Sequence, residues 1–179
     1  MSETLFRALT KTSAPELERI LRFASAPVLT ALAGYEWAGL NVGGPLAVLG
    51  GKKFIMGFFR GSSGAEGYHI GAVQDGPLEP WRYDSPVDQP PARSAFFRAG
   101  RVKAGSRDAR YPRAALLDYG AGRRKSAWSF ARLRRDYLVQ PDPSDAEVLL
   151  GRRTLALGQA RLAAHCFVLR RLRSTTWAP

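Results

Sequence analysis

After Gly34 the chain reads as eight short runs of aromatic and aliphatic residues, separated by Gly, Pro, Ser and Asp clusters. They are Tyr35–Val42, Lys52–Arg60, Tyr68–Gln74, Ser94–Lys103, Ala114–Gly120, Ala131–Gln140, Val148–Ala156 and Ala163–Leu172. Their lengths suit strands. Parallel neighbours would need crossover helices between the runs, and the gaps have no room for them, so an antiparallel meander of serial hairpins is predicted. Several runs are apolar on both faces: in Phe54–Phe59, Phe54, Met56 and Phe58 point one way while Ile55 and Phe59 point the other. A sheet with one wet face would alternate more cleanly. The predicted fold class is therefore mainly β, an eight-stranded antiparallel up-and-down barrel. One strand face lines the interior and the other is covered. Closure also removes edges that would template aggregation.

The cover comes from the N-terminus. Ser13-Ala-Pro-Glu16 matches a capping box, and Pro15 is harmless in a first turn. Leu17, Ile20, Leu21 and Ala24 then follow at i, i+3, i+4, i+7 and make one apolar stripe, which Pro27 ends. A second short apolar turn runs from Val28 to Leu32, with Gly34 as its C-cap. The organisation read from this is one domain over 1–179: a helical segment at 1–34, a barrel at 35–173, and a long Pro-rich loop at 75–93 within it. A loop of that length acts as a lid or a binding loop, or is disordered. The glycine-flanked Gly43–Gly51 is a second, apolar loop.

Hydrophobic residues are 45% and charged residues 23% of the 179, which excludes a disordered chain. Cys166 is the single cysteine, so no internal disulfide forms and a reducing compartment is implied. The opening MSETLFRALTK has no signal-peptide core, and no run approaches a membrane-spanning length; a cytoplasmic location is expected. The net charge of +12 is uneven: ten Lys/Arg face nine Asp/Glu in residues 1–100, and seventeen face six in 101–179. Such asymmetry marks either a nucleic-acid or anionic-membrane surface, or arginines that decorate solvent-facing strand positions.

Gly34-Tyr-Glu-Trp37 resembles the glycine–tryptophan opening of lipocalin-like, calycin-type β-barrels, here with spacing G-x-x-W and after a short helix as in that fold. The resemblance implies that Trp37 closes one barrel end and that an arginine near the last strand, among Arg170, Arg171 and Arg173, packs over its ring. Tyr111–Gly120, Leu133–Gln140 and Leu149–Arg153 also resemble recurring blocks of uncharacterised bacterial proteins of this size, which implies no chemistry.

The chemistry-bearing residues are few. His69, His165 and Cys166 are the only soft ligands and lack metal-site spacing, so neither metal nor cofactor is expected. Gly50-Gly-Lys-Lys53 has no Ser or Thr after its lysine and precedes a strand, which excludes a phosphate loop. Ser126 and Ser129 lack an elbow context, and Cys166 lies mid-strand. The repeated Asp-Tyr pair is the main polar signal: Asp118-Tyr119 and Asp136-Tyr137 fall inside apolar strands. A carboxylate there needs a partner, with Arg98, Arg135 and Arg152 as candidates. Two readings stay open, a bracing Asp–Arg–Tyr network and an acid–base group in the cavity. Neighbours i and i+1 face opposite ways, so at most one member of each pair lines the lumen.

Three functions follow as expectations. The first is binding of a small hydrophobic molecule (fatty acid, lipid or polyketide-like metabolite) in a cavity lined by Trp37, Phe54, Phe58, Tyr68, Phe96, Tyr137 and Phe167, with Arg98, Arg152 or His165 anchoring an acidic head group. The second is a cyclase, isomerase or hydrolase that uses Asp118, Asp136, Tyr119, Tyr137 or His69 as acid–base groups. The third is an anionic-surface binder through the arginines that lie within 123–124, 132–135 and 152–153. A homodimer through a sheet face is compatible with each.

Overall fold

The computed structural model describes residues 2–43, 52–62, 64–122 and 130–179. Most of the Gly43–Gly51 loop, together with Arg123, Arg124, Ser126 and Ser129, lies outside them. Three helices, α1 (Ser2–Lys11), α2 (Ala14–Phe23) and α3 (Leu29–Leu32), precede eight strands. These are β1 (Tyr35–Val42), β2 (Lys53–Gly61), β3 (Gly64–Gly71), β4 (Arg93–Arg101), β5 (Ala115–Asp118), β6 (Arg134–Val139), β7 (Val148–Leu157) and β8 (Ala160–Ser174). Short 3-10 turns at Tyr119–Ala121 and Phe130–Leu133 flank the β5–β6 connection.

Every strand pairs antiparallel with its sequence neighbour, and β8 pairs back onto β1. The barrel is closed, as the two-faced apolar runs predict. Two separate clusters of buried side chains identify its faces. One draws Trp37, Met56, Ala65, Phe97, Leu117, Leu138, Leu149 and Phe167 from all eight strands, which only the inside of a closed barrel allows. The other joins the opposite strand faces to Phe6 and Leu9 of α1, Leu17 and Leu21 of α2, and Trp81 of the 75–93 loop. Both faces are dry because the outer one is covered.

Helix α2 buries the predicted stripe: Leu17 and Leu21 are fully buried, and Ile20 and Ala24 pack beside them. Ser13 occupies the N-cap position but its side chain makes no cap hydrogen bond. Glu16, the other half of the expected capping box, pairs instead with Arg19. Helix α1, which opens the helical segment expected over 1–34, sets Phe6 edge-on to Trp81 with ring centroids 5.9 Å apart.

The 75–93 segment is a strap along the outer wall. The Trp81 indole N–H donates to the Gly39 carbonyl at 3.1 Å, and Tyr83 bridges to Ala72. Lys53, 2% exposed, pairs with Asp75 and donates to the Glu79 carbonyl at 3.0 Å, holding the loop's start against β2. An ammonium so deeply buried needs such acceptors. No described helix is long and apolar enough to cross a membrane.

One end of the barrel is stopped. Leu32 of α3 packs into the interior cluster with Trp37, which sets its ring edge-on to Phe58 at 6.5 Å; Phe58 in turn meets Phe97 at 5.4 Å. The Arg171 guanidinium lies 4.3 Å from the Tyr35 ring centre and 5.4 Å from that of Trp37, and pairs with Glu147 at 2.7 Å. This is the arginine-over-tryptophan arrangement that the resemblance implied. Toward the other end, aromatic rings lie over glycines of adjacent strands: a Cβ on Gly39 would fall 2.3 Å from the Phe54 ring, and one on Gly151 would fall 2.0 Å from that of Phe167. Only a missing side chain leaves space for the ring.

Candidate ligand site at the barrel mouth

Above the aromatic packing the interior turns polar. Inward positions follow from strand alternation: Asn41 on β1, Phe54 on β2, His69 on β3, Arg134 and Asp136 on β6, Arg153 on β7 and His165 on β8. The registers Leu117↔Asp136, Asp136↔Arg153 and Arg153↔His165 carry that face across the sheet. A cavity of about 440 Å³ opens here, lined by Asn41, Phe54, His69, Ser94, Arg134 and Arg153 among others.

Asp136 is the hub. Its side chain is fully buried, and its Oδ2 accepts from Tyr119 Oη at 2.9 Å and Arg134 Nη2 at 3.1 Å, with Arg153 Nη2 at 3.5 Å. The same Arg134 nitrogen donates to Tyr119 Oη at 3.0 Å, and its guanidinium lies 4.1 Å from the Tyr119 ring centre. His69 Nε2 is 2.7 Å from Tyr119 Oη. Arg134 Nη2 also lies 3.3 Å from His69 Nε2, so the tautomer of the imidazole sets which way the His69–Tyr119 hydrogen bond runs. His165 Nε2 is 3.1 Å from Asn41 Oδ1 and 3.3 Å from Arg153 Nη1.

The electrostatics follow from burial and the two guanidiniums. Burial, then Arg134 and Arg153, holds the His69 imidazole well below the ordinary histidine value. Burial, then Arg153, lowers that of His165 to about 4. Both rings are neutral at pH 7. Burial pushes the Tyr119 hydroxyl far above an ordinary phenol, and Asp136 adds to this against the pull of Arg134. Several buried polar atoms of the cluster have no hydrogen-bond partner among the described residues: Arg134 Nε, Arg153 Nε, Asp136 Oδ1 and His165 Nδ1. The described groups leave this network incomplete.

Of the residues expected from sequence, Asp136, Tyr119 and His69 come together here, with His165, Phe54 and Phe167 close by. The Arg153 guanidinium lies 5.8 Å and 5.6 Å from the Phe54 and Phe167 ring centres. One member of each Asp-Tyr pair thus reaches the lumen. Trp37 and Phe58 also face inward, but they fill the stopped end.

The remaining candidates lie outside the lumen. Tyr68 and Phe96 belong to the outer cluster and pack on Trp177 of the C-terminal tail. Tyr137 packs outward on Tyr111 at 4.9 Å. Arg98 is exposed, and Arg152 donates to the outward Cys166 Sγ at 3.2 Å. Asp118 pairs with Arg135 at 3.0 Å and accepts from the Gly120 amide, ending β5. Phe96 has a specific cause. Strict alternation from Ser94, which lines the cavity, would turn it inward, but a register shift at Gly67/His69 with left-handed Ala95 (φ 45°) sends Phe97 inward instead.

From sequence, Arg134 and Arg153 are expected on a basic surface rather than in the lumen, and Asn41 carries no expectation. Arg134 stands two residues before Asp136 and so shares its face, while the favoured candidates Arg135 and Arg152 were each one residue off. Among the described residues, no group of three or more His, Cys, Asp or Glu could hold a metal ion. Comparison with protein-family models, with curated proteins and with solved structures found no match.

Proposed function

We propose that the barrel binds a small organic acid at its mouth, with the acidic group set against Arg134 and Arg153. The observation that carries this reading is the pair of guanidiniums sharing one carboxylate oxygen at the wall of a 440 Å³ cavity. Pockets of this volume take compact ligands, oriented by a few polar groups against an apolar wall. Phe54 supplies such a wall. The deeper lumen is filled by Trp37, Met56, Phe58 and Phe97, all fully buried, which favours a compact acid over a long acyl chain threaded down the barrel. The calycin-type relationship and a cytoplasmic setting belong to the same reading. They are supported by the Trp37–Arg171 stack and by a buried, unpaired Cys166 thiol. A basic-surface partner draws less support: among the described arginines of the second half, Arg134 and Arg153 turn inward, and Arg135, Arg161, Arg170 and Arg171 pair with carboxylates.

The test is a panel of small carboxylates, with their amides as controls, read as a shift in Tm. Carboxylates should raise Tm and amides should not, and Arg153→Gln should remove the effect. Equal stabilisation by the amides, or an undiminished shift in Arg153→Gln, overturns the reading.

Acid–base turnover of the same ligand is a second reading, favoured by the convergence of His69, Tyr119 and Asp136 within hydrogen-bond reach. In that reading the neutral His69 imidazole would take a proton from carbon of the bound acid, the electron pair moving onto the group held by Arg134 and Arg153, and return a solvent-derived proton to the same carbon, with Tyr119 orienting the ring. Deuterium uptake at carbon by panel acids in D2O, followed by NMR and lost in Tyr119→Phe, would support it; no uptake by any acid that binds would remove it.

A further inference from the structure

We propose that the mouth site selects ligands carrying a single negative charge, rejecting both neutral molecules and dianions. This rests on the organic-acid reading above and adds the charge class of the ligand.

Among the described residues, the buried charges at the mouth do not cancel. Arg134 and Arg153 are two fixed cations, with side chains only 17% and 15% exposed. Asp136 is one buried anion, and both arginines reach it through the same oxygen. The two imidazoles add nothing, because each lies 3.3 Å from a guanidinium nitrogen, where a further positive charge is opposed. Two further charged residues line the outer part of the cavity: Lys53, which is matched by Asp75, and Asp84, which is solvent-exposed beside Gly71 and therefore screened by water where buried Asp136 is not. The cluster therefore holds one uncompensated positive charge.

Charge left unbalanced in a low-dielectric interior is costly, and a partner of opposite sign at close range offsets that cost. One anionic group brings the cluster to neutrality. A neutral ligand leaves the excess cation in place, and a dianion inverts the imbalance while having its own second charge stripped of water. Asp136 sets the selectivity: without it the same two arginines would suit a dianion.

The test uses two charge series, each on a constant skeleton: succinamide, succinamate and succinate, and terephthalamide, 4-carbamoylbenzoate and terephthalate. Affinities are measured by calorimetry at neutral pH and fixed ionic strength. The mono-anion of at least one series should bind about tenfold or more tighter than its neutral and dianionic relatives. Asp136→Asn should shift the dianion-to-mono-anion affinity ratio about tenfold toward the dianion. Arg153→Gln should shift the neutral-to-mono-anion ratio toward the neutral member by a similar factor, so the test survives a failure of Asp136→Asn to fold. Ratios within a series separate charge selection from a general loss of affinity. A dianion that binds the native protein as tightly as its mono-anion overturns this inference and leaves the organic-acid reading standing. Absence of binding by every member of both series overturns both.

Discussion

Gly151→Ala tests whether the lumen beneath the mouth is filled as tightly as the geometry requires. Gly151 faces inward on β7 opposite Phe167 on β8, and that ring covers its Cα. An added Cβ would lie 2.0 Å from Phe167 Cζ and 2.2 Å from Cε2. Carbon atoms rest at about 3.5–4.0 Å, so the ring must retreat by roughly 1.5 Å. It has little freedom to do so. Phe167 is fully buried, and the Phe54 ring stands edge-on at 5.8 Å. Overpacking of this kind costs about 1–3 kcal/mol. Gly100→Ala is the control, because its added Cβ would meet nothing within 4 Å and its φ is not positive. There the smaller unfolded-state entropy should be neutral or stabilising by about 0.5 kcal/mol. Urea unfolding followed by tryptophan fluorescence measures both. For a slope of about 2 kcal/mol per M, Gly151→Ala should lower the midpoint by roughly 1 M without changing the slope. Phe167→Leu should then cost less in the Gly151→Ala background than in the native protein, since the two share one space. Equal midpoints for Gly151→Ala and Gly100→Ala would refute the packing argument.

Three further outcomes are expected. Asp136→Ala leaves two guanidiniums without their buried carboxylate and should cost about 3–5 kcal/mol by the same unfolding assay; a loss below about 1 kcal/mol would mean that solvent already screens the cluster. His165 holds its imidazole near 4, against 6.5 when unconstrained, so between these values unfolding takes up a proton. Stability should therefore fall as pH drops through that window, by up to about 1.4 kcal/mol per pH unit per histidine, and His165→Asn should flatten the slope; an unchanged slope contradicts the assignment. Lys53→Met removes the ammonium that holds Asp75 and the Glu79 carbonyl, and should expose the 75–93 strap to limited proteolysis while the barrel core resists; undiminished protection of the strap would show that Trp81 and Tyr83 secure it without the ammonium.

The strand count, the antiparallel order and the covering helix α2 are legible in the sequence because each rests on local periodicity. Runs of strand length, broken by Gly and Pro and too closely spaced for crossovers, leave few topologies open. The Trp37–Arg171 stack was legible only through a resemblance. Helix α1 falls in the expected helical segment, but its apolar face of Leu5, Phe6 and Leu9 is not read from the pattern, because the stripe is short and flanked by polar residues. The site was half legible. The Asp-Tyr repeat pointed to Tyr119 and Asp136, while His69 was named as an acid–base candidate and His165 as a head-group anchor. Yet Tyr68, Tyr137, Arg98 and Arg152 were placed on the wrong face.

Those errors have one physical cause, and it divides what the sequence determined from what the tertiary structure decided. A strand's period of two assigns its residues to two sets, but it names the inner set only when the other is polar. Here α1, α2, the 75–93 strap and Trp177 of the tail bury the outer face, so both sets are apolar and carry tyrosine or arginine. Sequence alone thus determined that the chain forms eight antiparallel strands with two dry faces. Only closure of the barrel, with its inter-strand registers and the shift near Ala95, decided that Arg134, Asp136 and Arg153 turn inward. A displacement of one residue along a strand exchanges inside for outside, and that choice is made by long-range pairing that local pattern does not contain.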